Sequence, residues 1–147
     1  MTIVQHARQV SAPAAEIFDL LASPARHSEI DGSGTVRGVS DSRTPARLSL
    51  GARFGMQMHW GARYKILNEV VEFAAPTRIA WRHFAGHVWR YLLDPVDDQH
   101  TTVTEQFDDA GSRAKPVLHL MNAYRRNSRS IEQTLDRLAA RYAGNAG

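Results

Sequence analysis

The chain contains no cysteine among its 147 residues. Disulfides, thiolate nucleophiles and cysteine-ligated metals are thereby excluded together. Lysine is nearly missing as well, with only Lys65 and Lys115, so the formal net charge of +3 rests on arginine. An excess this small points to no nucleic-acid partner. Long apolar runs are absent: Met1 to Val10 holds no stretch of signal-peptide length, and no segment is apolar for long enough to span a bilayer. No stable membrane insertion is expected, and the location reads as cytoplasmic. GxGxxG, P-loop and GxSxG patterns are also missing, and Gly32-Ser33-Gly34 is too short to cradle a pyrophosphate. The histidines are His6, His27, His59, His83, His87, His100 and His119. None pairs with another at helical ligand spacing beside a carboxylate, and His83 and His87 straddle a predicted hairpin turn. No metal and no cofactor are expected.

What remains is ordinary globular material. The hydrophobic fraction is 43% and the charged fraction 22%, enough for one core and one domain over residues 1–147. Only the tail from Ala143 to Gly147 reads as loose. Thr2 to Val10 reads as a strand. Ser11 is a candidate N-cap for a short helix with Pro13 in its first turn and Ile17, Phe18, Leu20 and Leu21 on its buried face. A second short helix is predicted from Pro24 to about Ile30. The period then changes to two. Strands are expected over Thr35–Val39, Leu48–Trp60, Tyr64–Phe73, Arg78–Phe84, His87–Val96 and Thr101–Phe107, joined by short turns as an antiparallel meander. Phe54, Met56, Met58 and Trp60 fall on one strand face, Ile79, Trp81 and His83 on another, and Trp89, Tyr91 and Leu93 on a third. Val103, Glu105 and Phe107 share a face of the last strand.

Pro116 opens a helix predicted to run to about Tyr142. Val117, Met121, Tyr124, Ser128, Ile131, Leu135, Leu138 and Tyr142 form one stripe along it. The other faces carry Arg125, Arg126 and Arg129, read as a solvated surface. Such a stripe needs an apolar floor, and the aromatic sheet face is the one large candidate.

This order of elements resembles the helix-grip fold. Ala12-Pro13-Ala14-Ala15-Glu16-Ile17-Phe18 with Leu20-Leu21-Ala22-Ser23-Pro24 is similar to the opening of the SRPBCC superfamily. So are Pro76 to Trp81 and Val103-Thr104-Glu105 with Phe107-Asp108. That superfamily includes START lipid-transfer domains, birch-pollen-allergen-like proteins and polyketide cyclase/dehydrase-like proteins. The resemblance covers nearly the whole chain and is nearest to the small bacterial polyketide cyclase/dehydrase-like members. It implies an α+β helix-grip fold: a curved antiparallel sheet of about seven strands wrapped around a long C-terminal helix, with two short helices after the first strand. It also implies an enclosed void between stripe and sheet that holds a lipid, a polyketide or another apolar molecule. The shared phrases mark turns and core positions and carry no catalytic signature onto numbered residues.

Phe54, Met56, Met58, Phe73, Trp81, Trp89, Tyr91, Met121, Tyr124 and Ser128 are the candidate ligand-lining residues, with plain core filling as the competing reading. Glu105, His83 and Glu69 are candidate catalytic groups. An inward carboxylate in apolar surroundings has a raised pKa and can act as a general acid or base, as in an aldol cyclisation or a dehydration. The competing reading is pairing with arginine, or a strand parity off by one. Three functions fit: a carrier of a hydrophobic small molecule, a cyclase or dehydratase, and a protein-interaction or toxin-partner module. A homodimer is compatible with each.

Overall fold

A computed structural model describes residues 2–32, 36–39 and 44–145, with the side chains of Arg37, Val39, Trp60 and Asn145 outside that description. The predicted strand start at Thr35, the turn residues Ser33 and Gly34, the facing of Trp60 and the last two residues of the tail therefore lie outside the described residues.

Alternating apolar and polar positions build seven strands: β1 (Ile3–Val10), β2 (Val36–Val39), β3 (Arg53–Trp60), β4 (Ala62–Ala74), β5 (Arg78–His83), β6 (Val88–Asp97) and β7 (His100–Asp108). Their order in the sheet is β1-β7-β6-β5-β4-β3-β2, and every pairing is antiparallel. β2 to β7 form the expected meander. β1 returns to the far edge beside β7, leaving β1 and β2 as the two edges. Between them in the chain lie α1 (Ala14–Leu21) and a 3-10 helix, Pro24–Glu29. α1 packs on β5 and β6, and the 3-10 helix packs on β2. α1 buries Ile17, Phe18, Leu20 and Leu21, the face its spacing predicts. Its N-cap is Pro13 rather than Ser11, and no side chain caps it. A residue preceding proline is held out of the helical region, so Ala12 cannot join the helix, and the Pro13 carbonyl accepts the first bonds instead.

β3 begins at Arg53, five residues after the predicted start at Leu48. Gly51 has a positive φ of 81° and turns the chain, while the Leu48 amide donates to the Ala22 carbonyl and ties that segment to the end of α1.

The C-terminal helix departs from the expected single rod. It is two helices, α2 (Lys115–Leu120) and α3 (Ala123–Arg141), separated by Asn122 at φ 55°. Asparagine is among the few residues that enter the left-handed region at low cost, and there the helical hydrogen-bond ladder stops. The stripe is therefore cut. Ile131, Leu135, Leu138 and Tyr142 enter the core, while Val117 and Met121 stand exposed. α3 packs on β1 and β7, and no helix among the described residues is long and apolar enough to cross a membrane.

Gly32 fixes the remaining gap between the 3-10 helix and α3. A Cβ there would lie 2.5 Å from the Thr134 amide nitrogen. The Gly32 amide donates to Thr134 Oγ1 at 2.9 Å, and Arg137 donates to the Asp31 carbonyl at 2.8 Å. The loop at Asp31 and Gly32 is thus held against α3.

Candidate ligand site

The strand register stacks the inner face into rows. Val70, Trp81, Trp89 and Phe107 form one, and Tyr91, Glu105 and His6 form the next. Phe54, Asn68 and His83 form a third on the other side. Trp81 is the centre of an aromatic wall: its ring lies 5.7 Å from Phe54 and 5.7 Å from Tyr91, and His27 stacks on it at 4.9 Å. Phe107 meets Trp89 at 5.1 Å and Tyr124 at 5.9 Å.

Three polar side chains are set into this apolar face. Glu105 is 5% exposed. The Tyr91 hydroxyl donates to its Oε1 at 2.8 Å, while Oε2 has no partner. No arginine pairs with Glu105 among the described residues. Burial pushes its carboxyl up to about 8, against the pull of the Tyr91 hydroxyl, and the nearby Asp31 charge pushes the same way. At neutral pH Glu105 is therefore mostly a carboxylic acid with a proton to donate. Burial and the adjacent Glu105 hold the Tyr91 phenol well above its ordinary value, so it stays a donor.

Asn68 and His87 complete the set. Asn68 is 3% exposed with Oδ1 unpartnered, and His87 is buried with Nδ1 unpartnered. His87 stacks on His83 at 4.3 Å across the β5–β6 turn, where the sequence places the pair. Burial lowers both imidazoles to about 4, His83 adding to the effect at His87. Both are neutral near pH 7. His83 Nδ1 accepts the Ala85 amide at 3.0 Å. Buried polar atoms without partners are rare because each forfeits the full cost of its desolvation. Three of them on one face leave hydrogen-bonding capacity for a guest or for water. The described residues hold no group of histidines and carboxylates fit for a metal.

The predicted residues separate into those brought to this face and those that are not. Phe54, Met56, Trp81 and Tyr91 are buried in the core, and Met58 and Trp89 lie half-buried at its edge. Phe73 packs under α1 against Phe18 at 5.2 Å. Tyr124 reaches the wall through its ring and donates its hydroxyl to Asp109 at 2.6 Å. Ser128 faces β1 instead, bonded to His6 Nε2 at 2.8 Å. Met121 is exposed at the end of α2. Glu69 is on the outer face, 2.9 Å from Arg82 and 3.6 Å from Arg53. The register slips between Val70 and Glu72, and this bulge at Val71 returns Phe73 to the inner side while Glu69 stays out. His27, Asn68 and His87 were not among the candidates. Asn68 shares an inner face with Ile66 and Val70, and that parity was the available signal. His27 sits in a 3-10 helix, where no period marks it.

The expected enclosed void is not what the stripe forms along its C-terminal half, where Ile131, Leu135, Leu138 and Tyr142 fill the core. Two open hollows lie toward the opposite end. One, of about 680 Å³, is at the tip of the β3–β4 hairpin around Met58 and Tyr64. The other, of about 500 Å³, borders Asn68, His83 and Phe84. Half-buried Ile66, Trp89, Leu118 and Tyr124 border the core on its apolar edge.

Residues 1–143 match a family model described as polyketide cyclase/dehydrase and lipid transport. Over 145 residues the chain is 37% identical to an uncharacterised protein of Mycobacterium tuberculosis, Rv0088, an alignment that takes in 95% of this chain and 64% of that protein. The chain thus spans a little under two thirds of that relative's length. Among solved structures it is similar to MLL2253 of Mesorhizobium loti, with a TM-score of 0.71 at 16% identity over 99% of each chain. CV1439 of Chromobacterium violaceum gives 0.71 at 17% identity, covering 97% of this chain and 98% of the other. The Aha1 dimer of Colwellia psychrerythraea gives 0.64 at 13% identity, with full coverage of both. At these identities the likeness concerns the fold alone.

Proposed function

Because this chain belongs to the polyketide cyclase/dehydrase and lipid transport family, with the SRPBCC-like fold, we propose that it binds an apolar small molecule bearing hydrogen-bonding oxygens on the inner face of its sheet. The observation that carries the reading is Glu105 Oε2, a buried and unpartnered carboxyl oxygen within an aromatic wall. A purely apolar guest would leave that atom unsatisfied. A guest carbonyl or hydroxyl accepts its proton and removes the penalty. Trp81, Trp89 and Phe107 supply the apolar contact, and Tyr91 holds the carboxyl in orientation. The guest enters from the end where Met58, Ile66, Trp89 and Leu118 are incompletely covered.

The test is titration with a series of polyketide-like and lipid-like carbonyl compounds, read by tryptophan fluorescence and native mass spectrometry. Glu105→Leu is expected to weaken binding of carbonyl-bearing ligands at least tenfold while retaining the fold by circular dichroism. Equal affinity in the variant sinks the reading.

The raised pKa of Glu105 and the lack, among the described residues, of an arginine beside it favour a second reading, an enzyme of the cyclase or dehydratase type. Glu105 would donate its proton to a carbonyl oxygen as a carbon–carbon bond forms, or to a leaving hydroxyl, and recover one from the adjacent carbon. Turnover of a β-hydroxyketone that disappears in Glu105→Gln, with binding intact, separates this from carriage.

A further inference from the structure

The inner face carries its unmet polar atoms in two rows, with an aromatic row between them. In the first, Tyr91 and Glu105 are register partners across β6 and β7, and Glu105 Oε2 is unmet. The middle row holds Trp81, Trp89 and Phe107. In the third, the His83 amide donates to the His87 carbonyl at 2.9 Å, which extends the β5–β6 ladder one pair beyond Arg82 and Val88. His87 Nδ1 is unmet there, and the His87 ring lies 5.1 Å from Phe107. Phe107 is in turn 5.1 Å from Trp89, so aromatic surface runs unbroken from one polar row to the other. Trp89 and, from α2, Leu118 are only partly covered along this surface. Asn68 Oδ1 shares the third row but stands two strands from His87, across His83. A close backbone seam fixes the turn that presents His87. Gly86, at φ 103°, has no room for a Cβ against the Gly111 carbonyl oxygen, and Arg113 Nη2 donates to the Phe84 carbonyl at 2.6 Å.

His87 and Tyr91 are four positions apart, which at the rise of a strand is about 13 Å. A guest with one oxygen relieves one row and leaves the other buried without a partner, at the full desolvation cost. Resting on the reading that the guest lies on this face, we propose that it is a rod-shaped hydroxyketone whose carbonyl accepts from Glu105, whose apolar body lies along Trp89 and Phe107, and whose hydroxyl, about 13 Å away, bonds His87 Nδ1. The ends are not interchangeable. Glu105 Oε1 already accepts from Tyr91, so the carboxyl proton is carried on Oε2 and calls for an acceptor, which a carbonyl is. A hydroxyl both donates and accepts, so it satisfies a neutral imidazole nitrogen in either tautomer.

The experiment is titration of the full chain, read by tryptophan fluorescence, with a length ladder below its aggregation limits: 5-hydroxypentan-2-one, 8-hydroxyoctan-2-one, 11-hydroxyundecan-2-one and 14-hydroxytetradecan-2-one, with undecan-2-one beside them. Affinity is expected to peak at 11-hydroxyundecan-2-one and to fall again at the longer chain, although that chain is more apolar. Undecan-2-one is expected to bind at least tenfold weaker than its hydroxylated counterpart, because a site built to bond a hydroxyl rejects the analogue that lacks it. Plain hydrophobicity gives the opposite order in both comparisons. His87→Phe, which keeps the ring stack, removes the advantage of the hydroxyketone over undecan-2-one. The parent chain alone decides the matter even where that variant does not fold: affinity that climbs steadily with length, or undecan-2-one binding as tightly as the hydroxyketone, overturns the second anchor. If that result comes with every ketone still weakened by Glu105→Leu, the inner-face reading stands and only the rod falls. If Glu105→Leu changes nothing for any ketone, the inner-face reading fails as well. If Asn68→Leu removes the advantage of the hydroxyl and His87→Phe does not, the far anchor is on β4 and the assignment to His87 is overturned.

Discussion

From Ile131 to Tyr142 the last helix presents Ile131, Leu135, Leu138 and Tyr142 to the core, each at most 6% exposed. One or two turns earlier the same helix offers Tyr124 and Ser128, half-covered, with their hydroxyls taken by Asp109 and His6. The first region is a solid contact held by apolar volume. The second is a rim held by directional bonds, and the unmet polar atoms of Asn68, His87 and Glu105 lie on the sheet it borders. One fold therefore places its stability at one end and its unfilled valences at the other.

Leu135→Ala tests that division most strongly. It removes a fully buried side chain from the solid end and is expected to cost about 4 kcal/mol in urea unfolding, whereas Leu118→Ala at the rim costs less than about 1 kcal/mol. Equal losses would erase the distinction between the ends.

Glu105 lies between the regions and gives the next largest effect. Its folded pKa of about 8 is above the ordinary 4.5 of a glutamate, so the folded state keeps a proton that the unfolded chain releases as pH rises. Stability therefore falls from about pH 4.5 to about pH 8 on account of this group. His83 and His87, lowered to about 4 from 6.5, act oppositely, because the unfolded chain gains protons that the folded state refuses. Their contribution is lost as pH falls from 6.5 toward 4. In Glu105→Gln the decline toward pH 8 is expected to vanish, a gain on the order of 4 kcal/mol relative to the parent at pH 8, while the acid decline persists. Thermal melts across pH 4 to 9 check both limbs, and a persistent alkaline decline in the variant would move the titrating group elsewhere.

Gly86→Ala probes the backbone seam at the rim. Its Cβ meets the Gly111 oxygen at a positive φ, and a loss of about 2 kcal/mol is expected, with Arg113 displaced from Phe84. The smallest effect is Tyr124→Phe, which removes one hydroxyl bond to Asp109 and is expected to cost about 1 kcal/mol in the same unfolding assay.

The sheet and the solid half of the helix were legible because their signals are periodic. Alternation from Arg53 to Asp108 and the spacing of Ile131, Leu135 and Leu138 leave little freedom in which face is buried. What was not legible is local. The stripe spacing continues unchanged through Met121, so nothing in the pattern announces that Asn122 adopts a left-handed backbone. A single bulge at Val71 separates Glu69 from Phe73, which share a parity on an unbroken strand. His27 reaches Trp81 from a 3-10 helix too short to carry a period. Glu105 points inward beside Phe107, as strict alternation along β7 requires, but its environment depends on Tyr91 and Asp31 from other elements, and no single segment encodes that.

The left-handed residue at Asn122 also divides the C-terminal segment mechanically. α2 contributes no fully buried side chain, and its hydrogen-bond ladder ends before α3 begins. Its amides are therefore free to exchange with solvent through excursions that leave α3 wound, at an opening energy far below that of the whole domain. A short flap pivoting on one residue, rather than a rod prised from its seat, is the element whose protection against deuterium would rise first when the rim is filled.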